Sequence, residues 1–258
     1  MGLINGVKET VPVEFCKELI QGQMPSLANL VPGGFRLPRV VVGYPCGGSV
    51  TVPFARSLVR LAASLAMKKE RERTVTRIFE VQGLYVSQNR NAIVKDFLKN
   101  GNEEWLMQID TDIEFGSDLV EKFLFVALQD PKMRIIAANV RLGAHKHAGY
   151  QRLGDVWAPM QDMPMGPLVP VDAAATACIM IHRTVLEEMK AKLGPVWFDH
   201  QYIQGTEDDG SPKSIEGGED LLFCERAREM GIQTWLVRGL KLRHYKSTAL
   251  VEVFDEAV

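Results

Sequence analysis

Between residues 39 and 140 the chain alternates short apolar runs with amphipathic stretches, and this alternation restricts the fold more than any other feature. Arg39-Val40-Val41-Val42-Gly43-Tyr44 reads as a buried strand. The turn-rich loop Pro45 to Ser49 follows, then a helix with Pro53 in its first turn that runs to about Met67, because proline is tolerated where a helical N–H has no partner. The cycle repeats with a strand at 77–81 and a helix at 91–99, for which Asn89 is the candidate N-cap and Gly101 the stop. A third strand, 105–109, ends on Asp110, a helix at 117–128 is capped by Ser117 or Asp118, and a fourth strand spans 134–140. Repeated strand–helix units of this length predict an α/β fold with a mostly parallel central sheet, helices on both faces and ligand-binding loops at the strand carboxyl ends.

The flanks have a different texture. Gly22, Pro25, Pro32, Gly33, Gly34 and Pro38 punctuate residues 1–38 too often for a long element, so this segment reads as an N-terminal arm. Residues 39–258 then form a single domain with a first half at 39–140 and a second at 141–258. Gly, Pro and Met are frequent from 143 to 170, before a strand at 174–183 and a helix at 184–192. A composition of 46% hydrophobic and 24% charged residues is that of a globular protein, and a net charge of −2 supplies no overall field to gather a polyanion. Cys16, Cys46, Cys178 and Cys224 contain no C-x-x-C pair, so neither a disulfide scaffold nor a zinc knuckle is spelled out. With no signal-like N-terminus and no membrane-length apolar run, the expected compartment is the cytoplasm.

Three groups of residues carry chemistry. Asp110 and Asp112 sit two apart at the end of an apolar strand, so while the chain stays extended both carboxylates leave on one face, at the sheet edge where ligands bind. Mg²⁺ or Mn²⁺ suits such a place, since these ions take oxygen ligands and share one or two carboxylates with substrate phosphates. Glu219 and Asp220 follow Gly217-Gly218 at a helix start. Acidic groups there are favoured by the helix dipole alone, but the two glycines also let the backbone pass close to a ligand. His244 comes one short strand after that helix, and its meaning depends on its companions. His145 and His147 find no obvious third ligand and read as a solvated loop.

In their order along the chain, Gly43-Tyr44-Pro45, Ser87-Gln88-Asn89-Arg90-Asn91, Leu106 to Ile113, Gly218 to Ala227 and His244 resemble the GT-A fold glycosyltransferases, in particular the family-2-like branch of bacteria and their phages. The segment Asp172 to Cys178 resembles the one preceding the acceptor-side strand in that family. The resemblance implies a nucleotide-sugar-binding half at 39–140 and an acceptor-side half at 141–258. Tyr44, Pro45 and Arg90 would lie by the nucleotide, and Asp110-Thr111-Asp112 would hold the diphosphate. Mn²⁺ or Mg²⁺ would sit on Asp112, supported by Asp110 and completed by His244. Asp220 would be the general base, Glu219 would position acceptor or loop, and the displacement would be inverting. The implied activity moves a sugar from a nucleoside-diphosphate sugar to a hydroxyl on a glycan, a protein or a modified DNA base. Trp157, Trp197 and Phe198 are candidates for a sugar platform, against the plainer reading of core burial. A sugar-1-phosphate nucleotidyltransferase is the rival enzyme, but Pro45-Cys46-Gly47-Gly48-Ser49 lacks the basic residues of its loop. A non-catalytic sugar- or nucleotide-binding module of the same fold is the rival from another class.

Overall fold

The structure, a computed structural model, describes residues 37–140, 147–154, 156–160, 164, 166–206, 212–240 and 242–245. The arm expected at 1–38 lies outside these residues except at its last two positions, as does His145.

The alternating apolar runs become a seven-stranded mixed sheet. β1 (Val40–Cys46) leads to α1 (Val52–Met67), β2 (Val75–Gln82), α2 (Val86–Lys99), β3 (Trp105–Ile109), β4 (Ile113–Glu114), α3 (Leu119–Ala127) and β5 (Ile135–Ala138). The second half supplies β6 (Gly149–Leu153), β7 (Val156–Pro159), β8 (Leu168–Val171), β9 (Ala173–Ala174), β10 (Cys178–His182), α4 (Arg183–Leu193), β11 (Gln201–Thr206), β12 (Pro212–Gly217), α5 (Glu219–Glu229), β13 (Thr234–Val237) and β14 (Arg243–His244). The main sheet runs in the order β2-β1-β3-β10-β5-β13-β8. Strands β2, β1, β3, β5 and β13 point one way, while β10 and β8 are antiparallel to their neighbours. β10 enters between β3 and β5, so the two halves of the chain share one sheet.

Both faces of this sheet are covered at its centre, which is why β1, β3 and β5 are buried along nearly their whole length rather than at alternate positions. Val40 and Val42 of β1 and Met107 and Ile109 of β3 pack in one core with Phe54 and Leu61 of α1 and Phe123 and Leu124 of α3. Val41 and Leu106, one residue out of phase, pack in a second core with α2, α4 and α5. Gly43 lies where α2 crosses β1, and a Cβ there would stand 2.5 Å from Ile93 Cγ2.

Three expected boundaries shift. Helix α2 begins at Val86, so Asn89 is its fourth residue and no cap. The Asn89 amide instead donates to the Gly83 carbonyl at 3.1 Å and the Cys46 carbonyl at 3.4 Å, tying the ends of β1 and β2. The strand expected at 174–183 is divided: β9 pairs with β6, a turn at 176–177 intervenes, and only β10 joins the main sheet. Helix α3 is shorter than expected; Asp118 is its N-cap but makes no side-chain cap bond.

Candidate active site

Strand periodicity decides what the acidic end of β3 can reach. Leu106, Gln108 and Asp110 lie in phase toward the α2 side, with Leu106 in the core shared by α2. After Asp110 the chain does not stay extended. The Ile113 N–H donates back to the Asp110 carbonyl at 3.2 Å, closing a turn. The two carboxylates therefore take different partners, a correction to the expectation that they share one face. Thr111 anchors the turn through its carbonyl, which accepts from the N–H and the hydroxyl of Thr51, each at 3.0 Å. Thr51 is the N-cap of α1.

Asp112 meets the far end of the chain. β14 pairs antiparallel with β4, His244 opposite Ile113. This brings His244 Nε2 to 2.9 Å from Asp112 Oδ2 across 132 positions of sequence, and the Tyr245 N–H donates to the Asp112 carbonyl at 2.9 Å. The Tyr245 hydroxyl fastens the clasp by donating to Glu114 Oε2 at 2.7 Å. The other Asp112 oxygen, Oδ1, is buried and has no hydrogen-bond partner, an arrangement that ordinarily costs free energy unless a ligand completes it.

Asp110 meets Arg90. The Arg90 side chain is 2% exposed, and Nη2 donates to Asp110 Oδ1 at 2.7 Å. Its Nε lies 3.3 Å from Glu219 Oε1, and Nη1 donates to Gln108 Oε1 at 3.3 Å. Arg90, expected beside the nucleotide, is instead turned inward; a buried guanidinium is costly unless its donors are matched, and carboxylates at two elements match it. Its neighbour Asn91 is half-buried and also bonds within the protein. Asn91 Oδ1 accepts from the Trp197 and Phe198 N–H groups at 2.8 and 3.0 Å.

Glu219 and Asp220 open α5 behind the N-cap Gly218. Cys224, one turn on, fixes this helix to β9 by accepting from the Ala174 N–H at 3.5 Å. Burial first, then the neighbouring Glu219, pushes the Asp220 carboxyl up to about 6, although the Leu221 N–H bond and Arg90 pull the other way. Burial and the Asp220 charge also raise the Tyr150 phenol, which sets β6 beside the base candidate. Asp110 is likewise raised, by burial above all and by Asp112 and Glu219, against the pull of Arg90. The one buried cation, Arg90, acts on three carboxylates, Asp110, Glu219 and Asp220, while Asp112 turns to His244, and the excess of negative charge favours a further cation.

Tyr44 stays half-buried at the carboxyl end of β1, edge-on to Phe54 at 5.1 Å, while Pro45 is buried. Burial and the adjacent Glu80 raise the Tyr44 phenol. The sugar-platform aromatics fare differently. Trp197 is buried with its indole N–H on the Leu186 carbonyl at 2.8 Å, and Phe198 stacks on Phe223 at 4.6 Å, so both are core residues, the plainer of the two expectations for them. Trp157 is half-buried under Arg152.

No family model matches the chain, and no curated protein matches it. Solved structures do. Protein A197 from STIV superposes with a TM-score of 0.50 at 16% identity, covering 81% of this chain and 86% of that one. GalNAc-T7 with UDP, GalNAc and Mn²⁺ superposes with a TM-score of 0.51 at 14% identity. This is the GT-A fold. The chain covers 81% of its own length in the second match but spans only 44% of GalNAc-T7.

Among the described residues no three His, Cys, Asp or Glu side chains converge as a ready ligand group. Asp112 and His244 do converge, and the unpartnered Asp112 Oδ1 is a free oxygen donor. Two protein ligands with an open remainder fit an ion that shares its shell with substrate phosphate and water. Gln108 and Tyr150 were not singled out by sequence. Gln108 was findable, two residues before Asp110 on the same strand face; Tyr150 was not, because only the fold of β6 and β9 against α5 brings it near Asp220. Among the described residues no helix is long and apolar enough to cross a membrane.

Proposed function

We propose that the chain is a glycosyltransferase that moves a sugar from a nucleoside-diphosphate donor to a hydroxyl acceptor. The observation that carries this reading is the meeting of Asp112 and His244 beside Asp110, with one Asp112 oxygen buried and unpartnered, in a GT-A fold. Asp112 and His244 would hold Mn²⁺ or Mg²⁺, and such an ion stabilises the negative charge that develops on a departing diphosphate. The Mn²⁺ and UDP in GalNAc-T7 support this choice of ion and donor class.

On the acceptor side, Asp220 takes the proton from the attacking hydroxyl. A carboxyl near 6 suits the task, since at neutral pH it is ionised yet more basic than an ordinary aspartate. Attack by a base-activated hydroxyl from the face opposite the leaving diphosphate inverts the anomeric centre. Tyr44 and the neighbouring Pro45 flank the donor at the end of β1, and Thr111 holds the turn that carries Asp112.

The decisive assay incubates the protein with a panel of nucleotide sugars and Mn²⁺ and follows nucleoside diphosphate release. The reading expects release with at least one donor. No release with any donor, together with no metal-dependent thermal shift by nucleoside diphosphates, would overturn it.

A further inference from the structure

Among the described residues, Arg90 is the only Lys, Arg, Asp or Glu in the fully buried class. It sits on α2, yet its side chain bonds to none of that helix: Gln108 is on β3, Asp110 is at its end, and Glu219 is the first residue of α5. The guanidinium carbon also lies 5.9 Å from the ring centroid of Phe198, which stacks on Phe223 of α5. Apart from this residue, the carboxylate turn and the acidic helix come from positions about 110 apart in sequence and from opposite halves of the chain. We propose that Arg90 is a positioning residue that holds the donor-side turn and the acceptor-side helix in register by gripping Asp110 and Glu219 at once.

This inference rests on the glycosyl-transfer reading and assigns to that site a part that does not touch substrate. The planar fork matters as much as the charge. Nε and Nη2 point along separate directions to two carboxylates, which an ammonium cannot do from one point. Glu219 thereby acquires its role: it is the handle by which the start of α5 is held, one residue before Asp220. The groups facing Asp220 are Glu219 on its own helix, Arg90 from α2, Tyr150 from β6 and the Cys224 thiol. Arg90 is the one cation among them, so its loss alters the charge at Asp220 as well as its position.

The test compares wild type with Arg90→Met, Arg90→Lys and Glu219→Gln. Where wild type turns over, Arg90→Met lowers kcat on the order of 100-fold while the donor KM changes by less than about threefold, because misplacing one reactant side costs rate rather than donor binding. Arg90→Lys recovers only part of the rate, and Glu219→Gln loses rate with Arg90 still in place. The second measurement does not depend on turnover: carbon NMR of the Asp220 carboxyl moves its titration upward by roughly half a pH unit or more in Arg90→Met and leaves it near wild type in Arg90→Lys. An unmoved Asp220 titration in folded Arg90→Met, or an unchanged kcat, overturns the positioning role. If Arg90→Met does not fold, Glu219→Gln with wild-type kcat overturns it. A wild type that turns over no donor defeats the glycosyl-transfer reading, and the NMR comparison then decides the Arg90 tie separately.

Discussion

Asp220 shows how one carboxyl can be made useful at a cost in stability. Its folded pKa, at about 6, stands above the unperturbed 3.8. The folded state therefore binds the proton more tightly than the unfolded one, and stability falls as pH rises from about 4 to 6. Asp220→Asn removes that penalty. Urea unfolding should find the variant more stable than wild type by about 1–3 kcal/mol at pH 8, with the difference gone below about pH 4. The same substitution should abolish at least 99% of turnover, about a 100-fold loss or more, since no other group takes the acceptor proton. Wild-type kcat should fall about tenfold per pH unit below 6, as the base protonates. Asp112→Asn keeps the shape of the clasp with His244 but removes charge from the buried Oδ1 site. Calorimetry should show Mn²⁺ binding in the presence of a nucleoside diphosphate weakened 10-fold or more, a loss of about 1.4 kcal/mol.

At the scale of elements, the approach of α2 to β1 governs the site from beneath. Gly43 lets Ile93 settle against the strand, and Arg90 sits one turn earlier on the same helix. A methyl at Gly43 must push the buried Ile93 side chain aside. Gly43→Ala should cost about 1–3 kcal/mol of stability by chemical denaturation, and it should lower kcat more than donor KM because the displaced helix carries Arg90. The clasp of β4 and β14 is a second such element. Only two residue pairs form its ladder, yet it brings His244 to Asp112, so its value lies in position rather than in stability.

The whole molecule joins the two halves of its chain through one sheet. β10 comes from the second half of the chain and lies between β3 and β5, so the strand bearing the acidic turn is locked on one side by β1 and on the other by second-half sequence. A ligand that spans the turn and the helix should stabilise the chain as a unit. With a nucleoside diphosphate and Mn²⁺ at about 100 times their Kd, the linkage gain is about 2.7 kcal/mol, which should raise Tm by about 5–10 °C. A chelator should return Tm to the unliganded value.

The strand–helix alternation, the two-sided burial of β1 and β3 and the acidic end of β3 are legible in sequence because each follows from local periodicity and short-range chemistry. Asp112, His244 and Asp220 were also legible as residues of interest, through residue type and their order along the chain. Tertiary structure alone decided their partners. Sequence spacing treats Asp110 and Asp112 as a pair on an extended chain; the turn closed at Ile113 sends one to Arg90 and the other to His244. Nor could spacing reveal that Arg90 is buried, since its acceptors arrive from β3 and α5. Periodicity reports which face a residue takes on its own element. Which element meets that face depends on non-local packing, and there the partners of Asp110, Asp112 and Arg90 were decided.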